Sequence, residues 1–60
     1  MRLYRLSAAQ GNAVAQVNLG WMFEKGRGVA KDRAEAIRLY RLAATQGHAR
    51  AMEALKRLGA

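Results

Sequence analysis

Apolar residues recur at helical spacing in the first half of the chain. Ala15, Leu19, Met22 and Phe23 stand at positions i, i+4, i+7 and i+8. This spacing places the four side chains on one face of an α-helix, where they can pack into a core. The sequence therefore predicts a helix over about 13–25.

A second apolar face predicts another helix over 32–46. The apolar residues of this face are Ala36, Ile37, Leu39, Tyr40, Ala43 and Ala44. Arg38, Arg41 and Thr45 fall on the opposite side. A helix divided in this way covers a core on one side only.

Glycines and capping residues predict two further helices and the connections between all four. A short helix over 3–10 ends at Gly11, and Asn12 is a good N-cap for the helix that follows. Residues 26–31 contain two glycines close together, which are costly inside a helix, so they form a loop.

The second half of the chain carries similar boundary signals. Asp32, with Glu35 three residues later, is close in form to a capping box at the start of a helix. Gly47, like the glycine that ends the first helix, is expected to stop its helix in the left-handed conformation. The last helix begins near His48 and frays by Gly59.

The helix over 13–25 has two unusual features. Val14, Val17 and Trp21 form a second apolar stripe roughly opposite the first, and a helix that is apolar nearly all round is buried or binds something. Gly20 lies in mid-helix, where it costs about 0.5–1 kcal/mol relative to alanine. We therefore expect another backbone to pack closely against Gly20.

The chain also repeats itself with a period of 36 residues. Residues 2–15 align with residues 38–51, and most of the aligned positions are identical. A period of this size is typical of helical arrays, in which each unit buries its apolar face against its neighbours. The sequence thus predicts an all-α fold of stacked helical hairpins.

Residues spread over 15–47 resemble one complete repeat of the Sel1-like repeat family, which is related to the tetratricopeptide repeats. The matching residues are Ala15, Leu19, Gly20, Met22, Phe23, Gly26, Arg27, Gly28, Val29, Asp32, Ala36, Leu39, Tyr40, Ala43, Ala44, Gln46 and Gly47. The chain departs from the family pattern at Phe23 and Leu39, where tyrosine and tryptophan are usual. Lys56 stands where the second copy should carry the glycine of Gly20.

The resemblance implies a short α-solenoid of antiparallel helix-turn-helix repeats that acts as a protein interaction scaffold, without catalysis. Residues 1–60 then form one module. Residues 1–11 are the second helix of a partial repeat, 12–47 one complete repeat, and 48–60 the first helix of another partial repeat. Such a chain looks like an excerpt from a longer array or a very small permuted one.

The family resemblance also implies a binding surface. In these families the first helix of each pair lines the concave face, and the matching residues here are Val14, Val17, Trp21, Lys25, Arg50, Glu53 and Arg57. Such a groove is apolar at one end and charged at the other, which suits a helix or extended peptide with an apolar anchor and an acidic flank. Alternatively, the apolar stripe packs against the preceding helix or a second copy.

Charge introduces a second functional hypothesis. Eleven lysines and arginines against four acids give a formal net charge of +7, which attracts nucleic acid, acidic proteins or anionic membranes. Arg2, Arg5, Arg38 and Arg41 hold repeat-equivalent positions on the outer helix faces. They could form a basic band for nucleic acid or an acidic partner, or only a solvated convex face.

Two nucleic-acid binding modes are not favoured by the sequence. A DNA-reading helix-turn-helix has a connection of about three to four residues, which is shorter than the loop over 26–31. Binding of single-stranded RNA would require exposed aromatic residues, and Trp21 is the one candidate.

The candidate phosphate-binding and catalytic residues around the central loop are explained by structural roles. The segment Gly26-Arg27-Gly28 could cradle a phosphate, but the capping acids Asp32 and Glu35 behind it would repel one. Those acids are themselves accounted for as capping residues. We therefore expect a structural turn here.

The remaining candidates are also isolated. The chain has no cysteine, and His48 is its one histidine, so a zinc site is not expected. Ser7 has no histidine near it in sequence, and its repeat equivalent is Ala43. The sequence predicts no active site, no metal and no cofactor.

Length and hydropathy complete the sequence-based expectations. Sixty residues form one small domain with a thin core, so we expect marginal folding or self-association in isolation. No signal peptide or membrane span is visible, and the chain as written would be cytoplasmic. A third interpretation is a non-functional fragment of a longer repeat protein.

Overall fold

The computed structural model describes residues 12–60, which contain three α-helices. Helix α1 spans Ala13–Lys25, α2 spans Arg33–Ala44 and α3 spans Ala49–Arg57. No strand occurs in this part of the chain, so the predicted all-α class is confirmed. None of these three helices combines the length and hydropathy needed to cross a membrane.

Some sequence-based predictions concern residues outside the described part of the chain. They are the helix over 3–10, its end at Gly11, the basic residues Arg2 and Arg5, and Ser7.

Side-chain caps begin α1 and α2 as predicted. The side-chain oxygen of Asn12 accepts a hydrogen bond from the Ala15 N–H at 3.0 Å, and Asp32 accepts one from the Glu35 N–H at 3.1 Å. The capping box itself is altered, because the backbone N–H of Asp32 donates to the Phe23 carbonyl at 2.8 Å. That bond ties the loop back onto α1.

Helix α2 ends at Ala44, two residues before the predicted end at Gln46. The Gly47 N–H donates to the Ala44 carbonyl at 2.9 Å, and the His48 N–H donates to the Ala43 carbonyl at 3.3 Å. This pair of bonds is a Schellman motif, which requires the left-handed conformation that Gly47 adopts at φ 80°. The turn replaces the last predicted residues of the helix.

Helix α3 begins differently from α1. His48 has the extended N-cap backbone but no side-chain cap, and its Nδ1 atom is buried without a partner among residues 12–60. The helix ends at Arg57, and the Ala60 N–H donates to the Leu55 carbonyl at 2.9 Å. The helix thus ends before Gly59, as predicted, and a hydrogen-bonded turn follows it.

Helices α1 and α2 run antiparallel. The Gln46 side-chain nitrogen, just beyond α2, donates to the Gln16 side-chain oxygen in the first turns of α1 at 3.0 Å. At the other end, the Phe23 carbonyl of α1 meets Asp32 at the start of α2. The start of α1 thus contacts the end of α2, and the end of α1 contacts the start of α2, as in an antiparallel pair.

Helices α2 and α3 are antiparallel as well, which makes α1 and α3 parallel neighbours. The Arg33 guanidinium at the start of α2 donates to the Leu58 carbonyl just after α3. Helix α2 packs against both other helices, and this arrangement leaves one side of α1 facing one side of α3.

The core lies along the predicted apolar faces. Its buried apolar residues are Ala15, Leu19, Phe23, Ala36, Leu39, Tyr40, Ala43, Ala51 and Ala54. Met22 and Ala44 are partly buried and pack against this cluster, and Ile37 is half-buried. The core is therefore supplied mainly by α1 and α2, with two alanines from α3.

Gly20 lies in α1 directly against the ring of Tyr40 from α2. A Cβ atom at Gly20 would lie 3.0 Å from Tyr40 Cε1 and 3.1 Å from Cδ1. The expected close approach is present, and the three atoms nearest to this position belong to the Tyr40 side chain rather than to a backbone. The ring of Tyr40 takes the space because its large side chain points into the interface between the antiparallel helices.

Candidate functional site

An open groove of about 780 Å³ lies between α1 and α3. Its lining residues are Val17, Asn18 and Trp21 from α1, Tyr40 from α2, and Arg50, Glu53, Ala54 and Arg57 from α3. A smaller depression of about 450 Å³ shares Val17, Asn18 and Arg50 with it and adds Val14. The two form one continuous surface along the helices.

The sequence-predicted binding residues fall in three places. Five of them line the main groove, namely Val17, Trp21, Arg50, Glu53 and Arg57. Val14 lines the adjoining depression. Lys25 belongs to neither lining, and its Nζ atom lies 3.5 Å from Glu24 Oε2.

The α1 wall of the groove exposes apolar side chains. Trp21 is 42% exposed and Val14 is 60% exposed, whereas Val17 is half-buried and packs against the core. Large side chains left this accessible inside a concave surface are typical of binding sites. The α1 wall can therefore hold an apolar group.

A partly buried hydrogen-bond network joins all three helices at one end of the groove. The Tyr40 hydroxyl donates to Glu24 Oε1 at 2.8 Å. The Arg57 guanidinium donates to both Glu24 carboxylate oxygens, at 2.9 Å and 2.5 Å. Because Glu24 is only 8% exposed, this network fixes the position of the α3 wall relative to α1.

The network is held in one protonation state. The hydrogen bonds from Arg57 are the main cause that lowers the pKa of Glu24 to about 2, against the opposing effect of burial. Burial, together with the bond to Glu24, raises the pKa of Tyr40. Near neutral pH the carboxylate is charged and the phenol is neutral, which suits a structural clamp.

Arg27 contacts the groove from the loop. Its guanidinium carbon lies 5.3 Å from the centroid of the Trp21 ring. The sequence predicted only a structural turn at Gly26-Arg27-Gly28, so this contact was missed. No spacing rule predicts contact between a loop arginine and a helical tryptophan six residues earlier, because the conformation of the loop decides whether the two side chains meet.

Glu24 was also missed, although a signal for it exists. Gln16, Gly20 and Glu24 recur every four residues and form a small and polar stripe on α1. The structure buries all three against α2, where Tyr40 and Gln46 supply the hydrogen bonds. A polar stripe beside an apolar one indicates buried polar partners.

Only two of the four arginines of the proposed basic band lie in the described part of the chain. Arg38 and Arg41 are exposed on α2, as expected for an outer face. Arg38 donates two hydrogen bonds to Glu35, at 2.8 Å and 2.6 Å, and these bonds raise its pKa. Part of the positive charge of this face is therefore neutralised locally.

No set of three or more histidine, cysteine or acidic residues in the described 49-residue stretch, residues 12–60, is grouped to hold a metal ion. His48 lines the smaller depression together with apolar and basic neighbours.

One comparison with known proteins found a match. A family model described as the Sel1 repeat matches residues 1–12 and 13–48. Searches of curated proteins and of solved structures gave no match. The second matched segment contains α1, α2 and the turn that precedes α3.

Proposed function

The chain belongs to the Sel1 repeat family, and we propose that it binds a peptide or helix of a partner protein in the groove between α1 and α3. Sel1 repeats are generally protein interaction modules and are typically non-enzymatic scaffolds. The proposal therefore concerns which surface binds and what the partner looks like.

The half-exposed Trp21 is the observation that carries the proposal. Tryptophan is among the residues most enriched at binding hot spots, because a large ring can bury much apolar area. Trp21 stands beside the partly buried Val17 on the wall of the concave surface. An apolar side chain of the partner would cover the exposed part of the ring.

The opposite wall supports an acidic flank in the partner. Arg50 lines both parts of the surface and has no ion pair within residues 12–60. A carboxylate beside Arg50 would gain a charge-assisted hydrogen bond. Glu53, which also lines the groove, would favour a basic or amide group at a second position.

The clamp of Glu24, Tyr40 and Arg57 supports binding in another way. It connects the three helices before any partner arrives. A groove that is already formed loses little conformational entropy when a ligand binds. The same clamp removes Arg57 from the set of unpaired charges.

The alternative site is the basic outer face of α2, where Arg38 and Arg41 are exposed. It has less support, because Glu35 already pairs with Arg38. The two sites also differ in salt dependence, since an apolar anchor survives moderate salt whereas binding by surface charge weakens strongly.

A peptide selection combined with NMR tests the proposal. Binders would be selected from a randomised library of twelve-residue peptides against the full chain. Each selected peptide would then be titrated into ¹⁵N-labelled protein at low and moderate salt.

We expect the largest shifts at the Trp21 indole N–H and at Val17 and Arg50, and they should persist at moderate salt. Shifts centred on Arg38 and Arg41 that vanish with salt would instead support the basic face. Either that result or shifts around Met52 would overturn the groove.

A further inference from the structure

We propose that Arg27 is a specificity residue that selects partners with a carboxylate directly beside the apolar anchor. This inference rests on the proposed groove, because it requires the anchor to pack on Trp21. It assigns a binding role to a loop residue that lies outside the groove lining. The partner is thus an acidic peptide with its acid next to its apolar residue.

The position of Arg27 allows two contacts at once. Its guanidinium lies over the Trp21 ring at 5.3 Å, and within residues 12–60 no carboxylate pairs with it. A guanidinium held over a ring by cation–π attraction can still direct N–H groups toward a second partner. Those N–H groups can bind a carboxylate in a two-pronged manner while the stack remains.

The charges around the groove favour an anion at this place. Glu53 is the one carboxylate in the groove lining, and Arg57 is already paired with Glu24. Arg27 and Arg50 are therefore balanced by a single acid. An acidic group on the partner restores the balance, whereas a basic group next to the anchor would face uncompensated positive charge.

The short distance between Arg27 and the ring limits where the acid can be. Trp21 is 42% exposed with the Arg27 guanidinium 5.3 Å from its ring centroid, so we expect a partner side chain that covers the ring to lie beside the guanidinium. With the anchor on Trp21, only a carboxylate within about one helical turn of the anchor residue can also reach Arg27, since residues three and four apart are close on a helix. Arg27 therefore selects both the negative charge of the partner and the position of its acid relative to the apolar anchor.

The stack can be tested without any peptide, because Trp21 is the one tryptophan of the chain. Fluorescence quenching by iodide and by caesium reports whether the surroundings of the ring are positive or negative. When the quenching by each ion is divided by its quenching of a free tryptophan derivative, we expect iodide to quench the wild type about twice as efficiently as caesium. Arg27→Gln should bring the ratio near one.

Lys31→Gln is the matched control, since it removes one positive charge from the same loop. It should leave the iodide preference close to that of the wild type. An unchanged preference in Arg27→Gln, or an equal loss in Lys31→Gln, would overturn the stacking of Arg27 on Trp21.

Parallel peptide selections test the specificity. The same twelve-residue library would be selected against the wild type, Arg27→Gln and Trp21→Ala. We expect the wild type to enrich Asp or Glu within four residues of an apolar anchor severalfold. Arg27→Gln should keep the anchor and lose that enrichment.

The outcomes separate the two proposals. Equal acidic enrichment in the wild type and in Arg27→Gln, with binding still dependent on Trp21, would overturn the role of Arg27 and leave the groove standing. Peptides that bind Trp21→Ala as well as the wild type would overturn the groove, and the role of Arg27 with it.

Discussion

Helices α1 and α3 begin at Ala13 and Ala49, one 36-residue period apart, yet they contribute differently to the molecule. Helix α1 buries Leu19 and Phe23 in the core, whereas α3 buries only Ala51 and Ala54. The equivalent groove positions are Val14 and Arg50, Val17 and Glu53, and Trp21 and Arg57, each pair 36 residues apart. The repeated backbone thus presents an apolar wall on one side and a charged wall on the other.

This difference indicates where stability and binding reside. The pair of α1 and α2 holds most of the buried side chains. Helix α3 is attached through two buried alanines, the partly buried Leu55 and the clamp of Glu24, Tyr40 and Arg57. Substitutions at equivalent positions of α1 and α3 should therefore have unequal effects.

The largest effect is expected at Gly20 and its equivalent, Lys56. Gly20→Leu forces a side chain into the Tyr40 ring, which already lies 3.0 Å from the Cβ position, and should destabilise the fold by about 3 kcal/mol. Lys56→Leu, on the exposed side of α3, should change the free energy of unfolding by less than about 0.5 kcal/mol. Urea unfolding followed by circular dichroism measures both.

Equal losses in the two variants would mean that α1 and α3 pack alike. That result would contradict the unequal division of the core.

The next largest effect is expected from breaking the clamp. Glu24→Gln keeps an acceptor for the Tyr40 hydroxyl but loses the charge that pairs with Arg57, which is about half exposed. We expect a loss of about 1–2 kcal/mol in the free energy of unfolding. Glu53→Gln, which removes a groove carboxylate outside the clamp, is the control and should be nearly neutral.

The same residue predicts how stability depends on pH. The folded pKa of Glu24 is about 2, below its ordinary value of 4.5. The unfolded chain therefore binds more protons between these values, so this contribution is complete above about pH 4.5 and is lost as the pH falls toward 2. Thermal melts of Glu24→Gln over this range should depend less on pH than those of the wild type.

Sequence patterns were sufficient for the elements of the fold. The three described helices follow from apolar spacing, from the capping residues Asn12 and Asp32 and from the stop at Gly47, all of which act over a few residues. The apolar faces of α1 and α2 were predictable for the same reason. Local rules of this kind do not depend on how the helices are later arranged.

The details of the groove depend on tertiary arrangement, and the sequence did not reveal them. Glu24 meets Arg57 across 33 residues, and only the packing of α3 beside α1 brings them together. The contact of Arg27 with Trp21 depends on the conformation of the loop. The contact of Arg27 has no periodic signal, whereas the four-residue recurrence of Gln16, Gly20 and Glu24 could have indicated a buried partner for Glu24.

A smaller effect is expected at the two N-caps. Asn12→Ala removes the side-chain bond to the Ala15 N–H and should cost about 1 kcal/mol. His48→Asn should instead stabilise the fold by about 0.5 kcal/mol, because α3 lacks a side-chain cap that asparagine can provide. Thermal unfolding of the two variants measures both changes, and a destabilised His48→Asn would show that the imidazole is needed where it is.

The central claim is that the partner anchors on Trp21, and the affinity of a selected peptide for Trp21→Ala tests it most directly. We expect the Kd to rise at least about thirtyfold, while helicity and oligomeric state stay as in the wild type. Met52→Ala, which shortens a side chain that is 49% exposed outside the groove, should leave the Kd within about twofold. An unchanged Kd in Trp21→Ala, or loss of the fold or of a dimer in that variant, would contradict the account and assign Trp21 to structure.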